Sequence, residues 1–121
     1  MRIDAIVFDC VDASPLARFW AAALGWSVGP DDEPDDDPSA LVEPPEGSDL
    51  PTLVFTEVPE DKMVKNRVHV DLVADADIED DVERLRELGA TVRNWAEEEG
   101  NVWAVMQDPE GNEFCVLPPE S

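Results

Sequence analysis

The residues best suited to chemistry form two short alternations in the second half of the chain. His69, the single histidine, precedes Asp71 by two positions, and Glu113 precedes Cys115 by two positions. Side chains two apart on a strand point to one face. His69 and Asp71 therefore share a face, as do Glu113 and Cys115. A carboxylate beside an imidazole orients the ring and raises its pKa. His69 is then either a general base or ligand in a cleft or a hydrogen-bonded structural histidine. Cys115 either lines such a cleft or packs as a small hydrophobe. Asp9 shares the parity of Ala5 and Val7 and adds an acid to the corresponding face of the first half. Lys62, Lys65 and Arg67 gather three of the eight basic residues within six positions. They read either as an anion-attracting spot or as the balance to Glu57, Glu60 and Asp61. Trp103, like Trp26 and Trp95, fits a core, a cavity wall or a dimer contact.

The elements that must position these groups follow from periodicity. Ile3 to Val11 alternates as a strand. Ser14-Pro15 reads as a helix start, with Ser14 as N-cap. Leu16, Phe19, Trp20, Ala23 and Leu24 form one apolar helical stripe, and Gly25 closes the helix. A short strand is expected at 26–28. Residues 30–38, PDDEPDDDP, hold six acids and three prolines and read as a loop. Strands are expected at 39–43 and 52–58. Val68 to Val73 restarts the pattern as a strand. Asp77 caps a helix carrying Ile78, Val82, Leu85 and Leu88, and Gly89 ends it. Strands at 91–95, 102–107 and 113–117 follow, the last two joined by the tight turn Asp108-Pro109-Glu110-Gly111.

The halves repeat. A shift of 64 positions lays Ala5 on His69, Ile6 on Val70, Phe8 on Leu72, Leu24 on Leu88 and Gly25 on Gly89. The unit is βαβββ and occurs twice. This predicts an α+β fold: two βαβββ modules, about 1–60 and 65–121, in a single domain whose curved mixed sheet surrounds a cleft. In each module Ile6 and Phe8, or Val70 and Leu72, face the helix. The opposite face carries Ala5, Val7 and Asp9, or His69, Asp71 and Val73, and polar groups there suit a small-molecule cavity.

Composition limits the function classes. The 121 residues include 30 acidic and 8 Lys plus Arg side chains, for a formal net charge of −22. Such a charge opposes binding to nucleic acid, which depends on phosphate neutralisation by Lys and Arg, and docking on anionic membranes. No apolar run approaches the ~20 residues of a membrane helix, and MRIDAIVFD places acids where a signal peptide is apolar. A cytoplasmic protein is expected. Cys10 and Cys115 are too few for a disulfide framework and are expected to face opposite ways. There is no P-loop, dinucleotide fingerprint, nucleophile elbow or CxxC.

Four stretches carry a resemblance: SPLARFWAAALGW (14–26), KNRVHVDLVAD (65–75), ELGA (87–90) and WAVMQDPEGNEFCVL (103–117). With the paired βαβββ pattern, they are similar to the glyoxalase-like subgroup of the vicinal oxygen chelate superfamily, which includes glyoxalase I, extradiol dioxygenases, epimerases, fosfomycin-resistance enzymes and bleomycin-binding proteins. The resemblance implies metal ligands on the first and last strands of each module. His69 matches such a position. Ala5 stands at its counterpart in the first module and cannot bind metal. Cys115 stands where the last-strand Glu is usual, with Glu113 on the same face, and Glu57 is the offer of the first module. His69, Glu57, Glu113 and Cys115 are thus the candidates for an altered divalent-metal site, and the expectation is that no complete metal site forms.

Two functions follow from the resemblance. One is a bleomycin-resistance-type protein that holds a small organic ligand, aromatic or cationic, in the cleft, with Asp9, Arg67, Asp71, Trp103 and Cys115 around it. The other is a metal-dependent lyase, isomerase or dioxygenase with His69 and Glu113 as its catalytic groups. A homodimer is the expected assembly. The acidity reads either as adaptation to high salt or as an ordinary acidic protein with an acidic loop. The first alternative has a direct test. Mutual repulsion of the carboxylates is screened as the Debye length shrinks to ~3 Å at 1 M salt, so the melting temperature should rise from low to molar KCl in calorimetry. A flat or falling Tm would remove that alternative.

Overall fold

A computed structural model describes residues 1–29 and 39–119. The expectation for the acidic loop 30–38 therefore lies outside the described residues. The chain separates into two compact units, Met1–Lys62 and Met63–Ser121. Each is a four-stranded mixed sheet with one helix, in the order βαβββ that the repeat predicts.

In the first unit, β1 (Ala5–Cys10), α1 (Ala13–Leu24), β2 (Ser27–Val28), β3 (Ser39–Glu43) and β4 (Thr52–Glu57) build a sheet ordered β1-β4-β3-β2. β1 pairs parallel to β4 in the register Ala5 to Thr52 through Cys10 to Glu57, and the other pairs are antiparallel. The register puts Ile6, Phe8, Cys10, Leu53, Phe55 and Val42 on one face. α1 packs there through Leu16, Phe19 and Trp20, which are buried. The Phe8 ring lies 5.5 Å from that of Trp20 and 4.9 Å from that of Phe55, within the range of favourable aromatic contacts.

The start of α1 differs from the sequence expectation. The helix begins at Ala13 with Asp12 as N-cap, not at Pro15 with Ser14 as N-cap. The Asp12 side chain makes no cap hydrogen bond; instead the Glu57 carboxylate accepts from the Ala13 N–H at 3.0 Å. A cap reaching across from β4 is a tertiary contact, and local sequence preference does not encode it. Gly25 ends α1 in the left-handed conformation, φ 71°, as expected.

In the second unit, β5 (Asp71–Val73), α2 (Ile78–Leu88), β6 (Thr91–Glu98), β7 (Asn101–Gln107) and β8 (Glu113–Leu117) repeat the plan in the order β5-β8-β7-β6. β5 is parallel to β8. Ala104, Met106, Phe114 and Val116 lie on one face by register, and these four, with Val82 and Leu85 of α2, are buried. β6 and β7 run longer than expected and meet at Glu99 and Gly100. Both have positive φ, 53° and 83°, which is the backbone of a tight two-residue hairpin turn.

The strand expected over 68–73 shortens to Asp71–Val73. The ladder extends back only through the Val70 carbonyl, which accepts from Cys115 N–H at 3.1 Å. Before it, the backbone N–H of Asn66 bonds to the Glu113 side chain rather than to a strand. His69 therefore precedes the strand instead of lying within it.

Asp77 caps α2 as expected, its Oδ1 accepting from the N–H groups of Glu79 at 2.8 Å and Asp80 at 3.2 Å. Replacing Asp77 with Ala should cost about 1 kcal/mol of stability. Chemical denaturation of the two proteins would check this, and an unchanged midpoint would refute the cap's contribution.

Candidate functional site

α2 occupies one face of the second sheet. The register leaves Asp71, Val73, Trp103, Val105, Gln107, Glu113, Cys115 and Leu117 on the other. Asp71 stands directly beside Cys115 across the parallel β5–β8 pair. Their juxtaposition is chemical as well as geometric. Partial burial raises the Cys115 pKa, the Asp71 charge raises it further, Lys65 opposes the shift, and the hydrogen bond with Asp71 adds to it. A thiol can donate that bond and a thiolate cannot, so burial and, after it, Asp71 both favour the protonated Cys115.

Glu113 is 4% exposed although it lies on the face without a helix. A buried carboxylate needs partners, and Asn66 supplies one: its N–H donates to Glu113 Oε2 at 3.1 Å. The Asn66 side-chain amide donates to Asn112 Oδ1 at 3.3 Å. Its carbonyl lies 3.1 Å from His69 Nε2. A carbonyl only accepts, so Nε2 carries the proton in this contact. One residue thus ties the imidazole of His69 to the carboxylate of Glu113. His69 itself is exposed.

The remaining sequence candidates fall in three places. Trp103 is half-buried on the same face as Cys115, two positions from Val105, which pairs with it. Arg67 is exposed in the segment before β5. Asp9 and Glu57 belong to the first unit. Asp9 pairs with Thr56 on the face away from α1 and is exposed. Glu57 pairs with Cys10 on the α1 side, where it caps the helix. The buried Cys10 thiol contacts the Thr56 carbonyl at 3.5 Å, and both cysteines are free.

Sequence reasoning passed over Asn66 and Asn112. Asn112 follows Gly111 in the turn, where its N–H and side-chain amide both donate to the buried Asp108 carboxylate, at 2.9 Å to Oδ1 and 2.9 Å to Oδ2 respectively. The Asp-Pro-Glu-Gly-Asn spacing was the available clue to this turn. Nothing comparable marks Asn66, whose partners Asn112 and Glu113 are 46 and 47 residues away.

The whole-chain pattern also has relatives. A family model described as a glyoxalase-like domain matches residues 5–117. The chain belongs to the glyoxalase-like domain family. No curated protein matches the sequence. Among solved structures, a glyoxalase/bleomycin resistance protein/dioxygenase family enzyme from Burkholderia phytofirmans PsJN is similar over 99% of this chain and all of its own. Its TM-score is 0.76 and its identity 14%. TnmS3, an antibiotic-binding protein from Streptomyces sp. CB03234, is 21% identical with TM-score 0.68, covering 99% and 97% of the two chains. A lactoylglutathione lyase from Agrobacterium tumefaciens is 13% identical with TM-score 0.63, covering 96% and 92%. At these identities the likeness concerns the fold alone; membership rests on the family model, and the vicinal oxygen chelate superfamily remains what the sequence resembles.

Glyoxalase-like proteins of this superfamily often use metals, and the residues here were compared with that need. Among the described residues, no three His, Cys, Asp or Glu side chains are grouped to hold an ion. The individual donors are also engaged: Glu57 with a helix N–H, Glu113 with the Asn66 N–H, His69 Nε2 with a carbonyl, and Cys115 with Asp71. A ligand thiol must lose its proton, and the Asp71 contact opposes that. This donor set does not fit a metal centre of the superfamily type.

The Asp71–Cys115 contact makes a kinetic prediction. Replacing Asp71 with Asn removes the charge and lowers the thiol pKa. Alkylation of Cys115 by iodoacetamide near pH 8, followed by mass spectrometry, should then speed up several-fold as the thiolate fraction grows. An equal or slower rate would show that Asp71 does not control the thiol.

Proposed function

We propose that this protein binds a small organic ligand, aromatic or cationic, against the helix-free face of its second unit, without a complete metal site. The observation that carries the reading is the buried Glu113 on that face, beside Cys115 and Asp71 and with Trp103 on the neighbouring strand. Carboxylates at that face attract a cation, and an indole offers a flat apolar surface for an aromatic ring. Family membership supports the reading, as does the fold shared with an antibiotic-binding protein. Arg67 before β5 is a further proposed contact, Asp9 is a proposed ligand-binding residue of the first unit by itself, and a homodimer is the proposed assembly. Two free thiols suit a reducing compartment, in keeping with a cytoplasmic protein. No described helix is long and apolar enough to cross a membrane.

A second reading has one observation in its favour. Asn66 joins His69 to Glu113 through its carbonyl and its N–H, which places a base and a proton-carrying carboxylate on one anchor. This supports a lyase, isomerase or dioxygenase of the superfamily with His69 and Glu113 as catalytic groups. Stoichiometric metal in the purified protein would favour it.

Titration calorimetry with bleomycin as a cationic, aromatic-bearing probe tests the first reading. Saturable binding is expected, weakened about tenfold or more by Glu113→Gln and by Trp103→Ala, as loss of a buried contact group would do. Circular dichroism would establish that both variants fold. Binding that neither substitution weakens would move the ligand away from this face, and failure of a panel of cationic aromatic compounds to bind would overturn the reading.

A further inference from the structure

The most basic stretch of this acidic chain is also openly apolar. Lys62-Met63-Val64-Lys65-Asn66-Arg67-Val68 carries three of the eight basic residues. Within it Met63, Val64 and Val68 are 87%, 73% and 80% exposed. The segment has no regular secondary structure. It is nevertheless fixed to the start of β8 and the turn before it through the Asn66 contacts with Glu113 and Asn112. Large aliphatic side chains displayed together on an anchored segment mark an interaction surface, and the interspersed cations specify an acidic partner.

The second unit itself carries a surface with the opposite pattern. On the β6–β7 hairpin, Trp95 stands opposite Ala104 and Glu97 opposite Val102, so Trp95, Glu97 and Val102 share one face. Trp95 and Val102 are 44% and 40% exposed. Glu97, Glu98 and Glu99 make this end of the hairpin acidic. One surface is apolar with cations, and the other is apolar with carboxylates.

We propose that residues 62–68 of one copy dock on the Trp95–Glu97–Val102 surface of a second copy. The inference rests on the homodimer reading above and names the surface through which that dimer forms. Charge complementarity selects a second copy, because every copy offers both halves of the contact. A two-fold axis then forms the contact twice and closes the assembly. Two chains of formal charge −22 also repel each other. Association therefore requires salt to screen the long-range repulsion, while contacts at a few ångströms survive.

Sedimentation equilibrium of the whole chain in about 1 M KCl, where the Debye length is ~3 Å, reads the outcome. The unmodified chain is expected to be a dimer. Met63→Ser with Val68→Ser should weaken it about a hundredfold, as removal of central apolar anchors does. These side chains are exposed, so thermal unfolding measured by circular dichroism should confirm an intact fold. Arg67→Glu alone and Glu97→Lys alone should each weaken self-association about tenfold. An equimolar mixture of the two should recover the dimer, because the exchanged charges then face each other. A monomeric unmodified chain would overturn both the dimer and this surface. A dimer whose constant is unchanged by the serine variants, or a mixture that does not recover, would overturn this surface and leave the dimer standing.

Discussion

Parallel pairing of the first and last strands governs each unit. Two parallel neighbours cannot be joined by a tight turn, so the chain must cross over between β1 and β4, and between β5 and β8. Each crossover holds one helix and two antiparallel strands. One helix covers one face of a four-stranded sheet, and its apolar stripe determines which face. α1 takes the face of Phe8 and Phe55, and α2 takes that of Phe114 and Val116. What remains on the other face is free to be polar.

That division accounts for the placement of the candidate groups. Asp71, Glu113 and Cys115 have the parity opposite to the core residues of their strands, so burying Phe114 and Val116 obliges them to face away from α2. Glu113 is buried on that face, and the segment before β5 brings the Asn66 N–H to its carboxylate. The same backbone donates to the carboxylate and accepts from His69. Position and protonation are coupled here: the Asn66 carbonyl takes its hydrogen bond from His69 Nε2, and burial, with Asp71 beside it, favours the protonated thiol of Cys115.

The two halves use one plan but different end contacts. In the second unit Asp77 caps its own helix through neighbours two and three residues on. In the first, the cap comes from Glu57, 44 residues away, and that role occupies a carboxylate which the family resemblance had offered to a metal. Glu57 thus serves the first unit as a helix cap, while Ala5 offers no donor at all.

The repeat, the helix stripes and the strand parities were legible in the sequence because they are local and periodic. Leu16, Phe19 and Trp20 at helical spacing, Gly25 and Gly89 at the helix ends, and the Glu113–Cys115 alternation needed no tertiary information. The family resemblance was legible for the same reason, since its motifs keep their order and spacing. Other features depended on the folded chain. The Glu57 cap, the Asn66 bridge and the short β5 arise from contacts between residues 44 to 47 positions apart. Such contacts have no period and no local preference. They exist only once the sheet register brings those positions together, so His69 could be named from the sequence, but its place ahead of the strand was decided by the tertiary structure, which fastens Asn66, its hydrogen-bond partner three residues away, to Glu113.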